Sequence, residues 1–255
     1  MKHIIYIFLL LAQFSHGQST EATSYKVFKI ANEMYKNADY ENAIQKYDYI
    51  EKSLKQESAD LYFNLGNCYF KLNKIAPSIY YYEKALLLKP EDKSIKTNLV
   101  FAKKRTIDDI KVIEPLGFLK LKNTLTSVFL VQTWTWLSVV FSVLSLFFFT
   151  LFIFNETPII KRISFVSIFV ALFFVIVCFL SANFLTNYIK NDKPAIIFDE
   201  FVEVKAEPKE DADKTFTLHE GTKVFVKETL DNYTRIKLTD NTEGWILSRS
   251  IKQVR

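Results

Sequence analysis

The sequence predicts a multidomain membrane protein: an all-α helical-repeat solenoid, a two-helix transmembrane hairpin, and a small all-β domain. Three observations predict this fold class. Of the 255 residues, 128–184 contain 13 of the 24 Phe but only three of the 61 charged side chains. Segments that repeat with a period near 35 residues precede this apolar block. Short runs of alternating apolar and polar residues follow it.

The first segment has the pattern of a secretory signal peptide. It combines a basic Lys2, an apolar run from Ile4 to Ala12, and the small residues Ser15 and Gly17 at the expected cleavage site. We therefore predict residues 1–17 to be a signal peptide. The apolar run is shorter than the roughly 20 residues that cross a bilayer, so a retained anchor is the less favoured alternative.

Residues 24–110 contain two helical repeat units and a third, capping helix. The second unit has the pattern W-x2-L-G-x2-Y, with Tyr62 in place of Trp, followed by Leu65, Gly66 and Tyr69. This unit resembles a tetratricopeptide repeat (TPR), in which small residues let two antiparallel helices pack closely. Since stacked repeats generally need about three units, we expect the membrane or a partner to support them.

In TPR folds the leading helix of each unit lines a concave groove. Amides there suit the backbone of an extended peptide, and cations suit an acidic side chain or a terminal carboxylate. The alternative is a solvated helix face whose aromatic residues pack on their neighbours. The candidate groove residues are Phe28, Asn32, Tyr35, Phe63, Asn64, Asn67, Phe70, Lys71, Phe101, Lys104 and Arg105.

Two uncharged segments of the apolar block, residues 133–154 and 163–184, are each long enough to span a bilayer. Residues 111–132 are predicted to be an interfacial linker with Lys between apolar residues. Because the connection at residues 155–162 is short, both flanking domains are expected on one side of the membrane. The signal peptide places that side in the periplasm, with the hairpin in the lipid bilayer.

The last region, residues 195–255, is predicted to be all-β. The sequences LHEGTKVFV, from Leu218 to Val226, and YTRIKLTDNTEGWI, from Tyr233 to Ile246, resemble bacterial SH3-like barrels. Glu220-Gly221-Thr222 and Asp240-Asn241 are predicted to be turns between strands. Asn241 stands where Gly is usual and accepts a positive φ. Tyr233 and Trp245 are either packing residues or a recognition surface.

The inventory of reactive residues argues against several classes of chemistry. Two Cys and three His cannot assemble a Cys/His metal site, and five Gly leave no phosphate-binding loop. Neither flanking region is basic enough for nucleic-acid binding. We therefore predict no cofactor, no metal, no catalytic residue and no nucleic-acid partner, and hence no enzyme.

The order of these modules resembles the BatE-like family of TPR and SH3-domain membrane proteins of the Bacteroides aerotolerance operon. The resemblance extends to NLVFAKKRTIDDI, residues 98–110. It implies an inner-membrane adaptor that assembles with von Willebrand A-type membrane proteins and is linked to stress or oxygen tolerance. The alternative is a cell-envelope sensor that binds peptidoglycan through the SH3-like domain.

Overall fold

A computed structural model describes residues 22–110, 129–191 and 193–255. The predicted signal peptide and residues 111–128 of the predicted linker lie outside the described residues. The described chain divides into two compact units. One combines residues 22–110 with 193–255, and the other is the apolar hairpin.

Five helices form the first part of the larger unit, as the repeat pattern predicted. They are α1 (22–36), α2 (Tyr40–Asp48, continued by a π-helical segment Tyr49–Ser53), α3 (Ala59–Lys71), α4 (Ile75–Leu88) and α5 (Lys93–Lys103). Side chains cap two of them: Ser58 accepts from the backbone N–H of Leu61, and Asp92 accepts from that of Ser94. Such caps satisfy amides at the start of a helix that have no partner within it.

The two helices of the second repeat pack closely at Gly66. A Cβ built there would lie 2.6 Å from the ring of Tyr82, so only Gly allows this approach. The hydroxyl of Ser78 donates to the Gly66 carbonyl at 2.9 Å and joins the same two helices. Cys68 on α3 is fully buried, and burial raises its pKa to about 12, which agrees with a structural thiol.

Seven antiparallel strands form the second part of this unit. They are β1 (Pro194–Ile197), β2 (Phe201–Lys205), β3 (Lys214–His219), β4 (Lys223–Leu230), β5 (Tyr233–Lys237), β6 (Glu243–Leu247) and β7 (Ile251–Gln253). Their order in the sheet is β3-β2-β6-β5-β4-β1-β7. The sequence did not predict β7. It did not predict β3 as a strand either, although the end of β3, Leu218 and His219, belongs to the LHEGTKVFV motif.

The sheet is open, which corrects the predicted closed barrel. Its edges are β3, paired with β2, and β7, whose three residues all pair with β1. The predicted turn chemistry is confirmed, because Asn241 adopts a φ of +70°. Gly221, in the predicted Glu-Gly-Thr turn, has a φ of +83°.

Helices and sheet share one core. Strand β1 is buried at all four residues: Ala195 and Ile197 belong to the core of the sheet, whereas Ile196 belongs to that of the helices. The ring of Phe198, directly after β1, lies 5.7 Å from that of Tyr80 on α4. A run of apolar residues is typical of a strand that is buried on both faces. The sheet of the same chain thus supports the short repeat array, whereas the sequence led us to expect this support from the membrane or a partner.

Two carboxylates connect the helices to the sheet. Glu83 on α4 is buried and accepts from Lys103 at 2.9 Å and from Lys223 at 2.7 Å. Burial opposes its ionisation, but the two cations outweigh burial and hold the pKa of Glu83 below its ordinary value.

The second carboxylate, Asp108, binds the turn between β3 and β4. It accepts from the backbone N–H of His219 at 2.7 Å and from the hydroxyl of Thr222 at 2.6 Å, and its other oxygen lies 2.7 Å from His219 Nδ1. His219 is thereby held at this contact between helices and sheet.

The smaller unit is a helical hairpin formed by α6 (Val131–Phe154) and α7 (Pro158–Asn191). Helix α7 begins before the predicted residue 163 because Pro158 is well suited to the first turn of a helix. The rings of Phe141 and Phe174 stack at 5.1 Å. Both helices are long and apolar enough to cross a membrane.

Candidate functional site

The leading helices α1, α3 and α5 form one row that is joined by side-chain amides. Asn64 on α3 donates to Asn32 Oδ1 on α1 at 2.9 Å. Asn98 on α5 donates to Asn67 Oδ1 on α3 at 2.8 Å. The three helices therefore lie side by side, as the predicted groove requires.

Each repeat adds a tyrosine to this network. The hydroxyl of Tyr47 donates to Asn32 Oδ1 at 2.6 Å, and that of Tyr82 donates to Asn67 Oδ1 at 2.7 Å. The same unit, a Tyr and two Asn, thus occurs twice. We call these residues the amide ladder: Asn32, Tyr47, Asn64, Asn67, Tyr82 and Asn98.

The predicted groove amides bind one another and two tyrosines, so only some of their groups remain for a peptide backbone. Two protein donors already occupy the side-chain oxygen of Asn32, and two others occupy that of Asn67. The groups left for a ligand are the amide nitrogens of these two residues and the oxygens of Asn64 and Asn98. The row can therefore offer both donors and acceptors, which suits a peptide backbone.

Most aromatic residues of the row are partly buried. Phe28 lies 5.7 Å from Tyr47, Tyr35 lies 5.3 Å from Tyr40, and Phe63 lies 5.9 Å from Tyr82, measured between ring centroids. These contacts support the alternative interpretation in which they pack on neighbours. Phe101 differs, because 53% of it is exposed.

The C-terminal ends of α3 and α5 form a basic end of the row. The guanidinium of Arg105 lies 4.5 Å from the ring centroid of Phe70 and donates to Asn73 Oδ1 at 2.8 Å. Lys71 and Lys104 are exposed nearby in the sequence. Arg105 is thus held by an aromatic face and an amide, and it keeps further N–H groups for an anion.

Sequence reasoning missed four residues of this site: Tyr47, Tyr82, Asn98 and Asn73. Asn98 and Tyr82 could have been found from spacing, since they follow Asn64 and Tyr47 by 34 and 35 positions. Asn73 lies in the turn between α3 and α4 with a φ of +58°. Its contact with Arg105 joins residues 32 positions apart and has no local signal.

The predicted surface residues of the sheet lie on its solvent-facing side. Trp245 stands opposite Arg235 on one neighbouring strand and Lys205 on the other. Tyr233 stands opposite Leu247. Tyr233 and Leu247 line a cleft of about 1150 Å³. Trp245 does not line this cleft.

Comparison with known proteins supports the helical part of this description. Residues 59–92 match the tetratricopeptide repeat family, and these residues cover α3 and α4. No curated protein matches the chain. The matched segment therefore identifies a TPR unit, a module that mediates contacts between proteins.

Replacing Asn67 by Ala is expected to destabilise the repeats by about 2 kcal/mol. The change removes the acceptor of two hydrogen bonds and leaves the hydroxyl of buried Tyr82 without its partner. Urea unfolding of the full chain in detergent measures the change. The matched control is Asn42→Ala, whose exposed amide donates to Asp39 three residues earlier, and it should change stability by less than about 0.5 kcal/mol. Equal stability of the two variants would contradict the role of the ladder.

Proposed function

We propose that this protein is a non-enzymatic, membrane-anchored adaptor that binds a segment of a partner protein along its row of leading helices. The main support is that the sheet packs on α4, so that within residues 22–110 and 193–255 it leaves the row of leading helices uncovered. Contacts of the sheet are made by Tyr80 and Glu83 of α4 and by Lys103, through the carboxylate that it shares with Lys223. Asp108, in the segment after α5, adds the contact with His219 and Thr222. The exposed ends of the row, by contrast, carry Lys71, Phe101, Lys104 and Arg105.

The shared core also supports a membrane topology. Because residues 22–110 and 193–255 build one core, both must lie on the same side of any membrane that the hairpin crosses. Two crossings satisfy that condition. We propose that the hairpin spans the bacterial inner membrane and that both regions face the periplasm.

We also propose the kind of complex in which this adaptor acts. The order of repeats, hairpin and sheet agrees with a BatE-like component of a cell-envelope complex linked to stress or oxygen tolerance. Its partners would then be von Willebrand A-type membrane proteins. The lipid bilayer would hold the hairpin beside the helices of those partners.

Co-purification tests the adaptor function. Lys71→Ala, Phe101→Ala and Lys104→Ala are combined, because these exposed residues lie outside the amide ladder and their loss should leave the fold intact. We expect recovery of partner proteins with the full chain to fall by about tenfold or more. The matched control combines Lys46→Ala and Tyr49→Ala on the second helix of the first repeat. Unchanged recovery with the triple variant would refute the proposal.

A second candidate is a cell-envelope sensor that binds peptidoglycan through the sheet. The observation that favours it is the cleft of about 1150 Å³ lined by Tyr233, Phe201 and Leu247. Aromatic side chains in a cleft suit sugar rings and apolar parts of peptides. Sedimentation of the full chain with purified sacculi, with and without Tyr233→Ala, distinguishes this candidate from the adaptor.

A further inference from the structure

The leading and second helices of the repeats differ in charge. Helices α1, α3 and α5, together with Lys104 and Arg105, carry nine Lys or Arg and only two carboxylates. The second helices α2 and α4, with the π-helical segment, carry three Lys and four carboxylates. Positive charge is therefore concentrated on the helices that form the open row.

Both carboxylates of the row are already paired. Glu33 binds Lys36 at 2.8 Å, and Asp60 binds Lys89 at 2.8 Å. Among the described residues, the structure gives no salt bridge to six of the cations on the row. They are Lys26, Lys29, Lys71, Lys93, Lys104 and Arg105. Helix dipoles favour cations at C-terminal ends, but Lys93 is the first residue of α5, and Lys26 and Lys29 lie in the first half and at the middle of α1.

Arg105 is held by two contacts on the row. Its position over the ring of Phe70 and its hydrogen bond to Asn73 restrict the guanidinium. A carboxylate that binds such a preorganised guanidinium forms charge-assisted hydrogen bonds at a low entropic cost. Neutral amides of the ladder follow along the row, at Asn98, Asn67 and Asn64.

From this arrangement we infer that the row binds an acidic, extended segment of a partner protein. Its carboxylates contact the basic end at Arg105 and Lys104, and its backbone pairs with the ladder amides. A peptide is favoured over an anionic lipid surface because the ladder offers both donors and acceptors between helices, which match a backbone and not a headgroup. The inference rests on the proposed function and adds the chemistry of the ligand.

Fluorescence anisotropy with the full chain in detergent tests this inference. The probe is a fluorescein-labelled peptide of alternating Glu and Ala, compared with the same peptide carrying Gln for Glu. We expect the Glu peptide to bind about tenfold more tightly or better, with an affinity that falls as salt is added. Arg105→Gln and, separately, Lys104→Gln should each weaken that binding about tenfold. Lys46→Gln, an exposed cation of α2, should leave it unchanged.

Two outcomes would overturn the inference. The first is a Glu peptide that binds no better than its Gln counterpart, or that binds the Arg105→Gln and Lys104→Gln variants as well as the native chain. The second is a native chain that binds phosphatidylglycerol vesicles but not the Glu peptide, together with loss of the vesicle binding in both variants. In either case, loss of co-purified proteins in the triple variant would still support the adaptor function, so the two proposals can fail separately.

Discussion

Replacement of Glu83 by Gln is expected to loosen the contact between helices and sheet by about 2 to 3 kcal/mol. The carboxylate is buried and is shared by Lys103 and Lys223. Breaking a buried ion pair typically costs about 3 to 5 kcal/mol, and the partial exposure of both lysines lowers that figure. Hydrogen exchange of peptides from α4 and β1, in the full chain, measures the local opening free energy.

The stability that Glu83 contributes is expected to depend on pH. Because the pKa of Glu83 in the folded chain lies below its ordinary value of 4.5, ionisation stabilises the fold at pH values above 4.5. That contribution is lost as the pH falls through the lowered pKa. The native chain should therefore lose protection in β1 on acidification, and Glu83→Gln should lose less. Glu228→Gln, which removes an exposed pair with Arg235, is the control. Equal protection of β1 in all three chains would contradict the role of Glu83.

Replacement of Gly66 by Ala is expected to destabilise the second repeat by about 2 kcal/mol. Alanine would gain about 1 kcal/mol from helix propensity, but its methyl group would lie 2.6 Å from the ring of Tyr82. That ring is buried and its hydroxyl is bound to Asn67, so it cannot move aside easily. Overpacking of this kind costs about 3 kcal/mol. Urea unfolding of the full chain gives the net value.

A double-mutant cycle isolates the cause. In a Tyr82→Leu background the smaller side chain leaves room for the methyl group, so Gly66→Ala should there become neutral or stabilising. An equal loss in both backgrounds would exclude contact with Tyr82 as the explanation.

The sequence predicted the elements of this fold better than their association. The repeat pattern located the close helix packing at Gly66, because this packing requires a residue without a side chain there; the structure shows that Tyr82 is the neighbour. Turn residues located the bends around Gly221 and Asn241, since each adopts a positive φ. These features depend on residues close in the sequence or on the repeat period.

Docking of the sheet on α4 had no such signal. It depends on Glu83 and Asp108, and charged residues on helices and their ends usually contact solvent. Only the complete tertiary structure shows that these two side chains meet Lys223 and His219, which lie more than 100 positions away. The repeat pattern likewise placed Asn32, Asn64 and Asn67 on the row. It could not predict the hydrogen bonds between the amides of the row, because the bonded amides are more than 30 positions apart.

Site-specific photo-crosslinking in cells tests the adaptor function most directly. A photoreactive residue replaces Phe101 on the open row or, in the control, Tyr49 on the second helix of the first repeat, which is 45% exposed. We expect a membrane or periplasmic protein to be captured from position 101 and this product to be absent from position 49. Capture of the same protein from both positions, or of none from position 101, would contradict it.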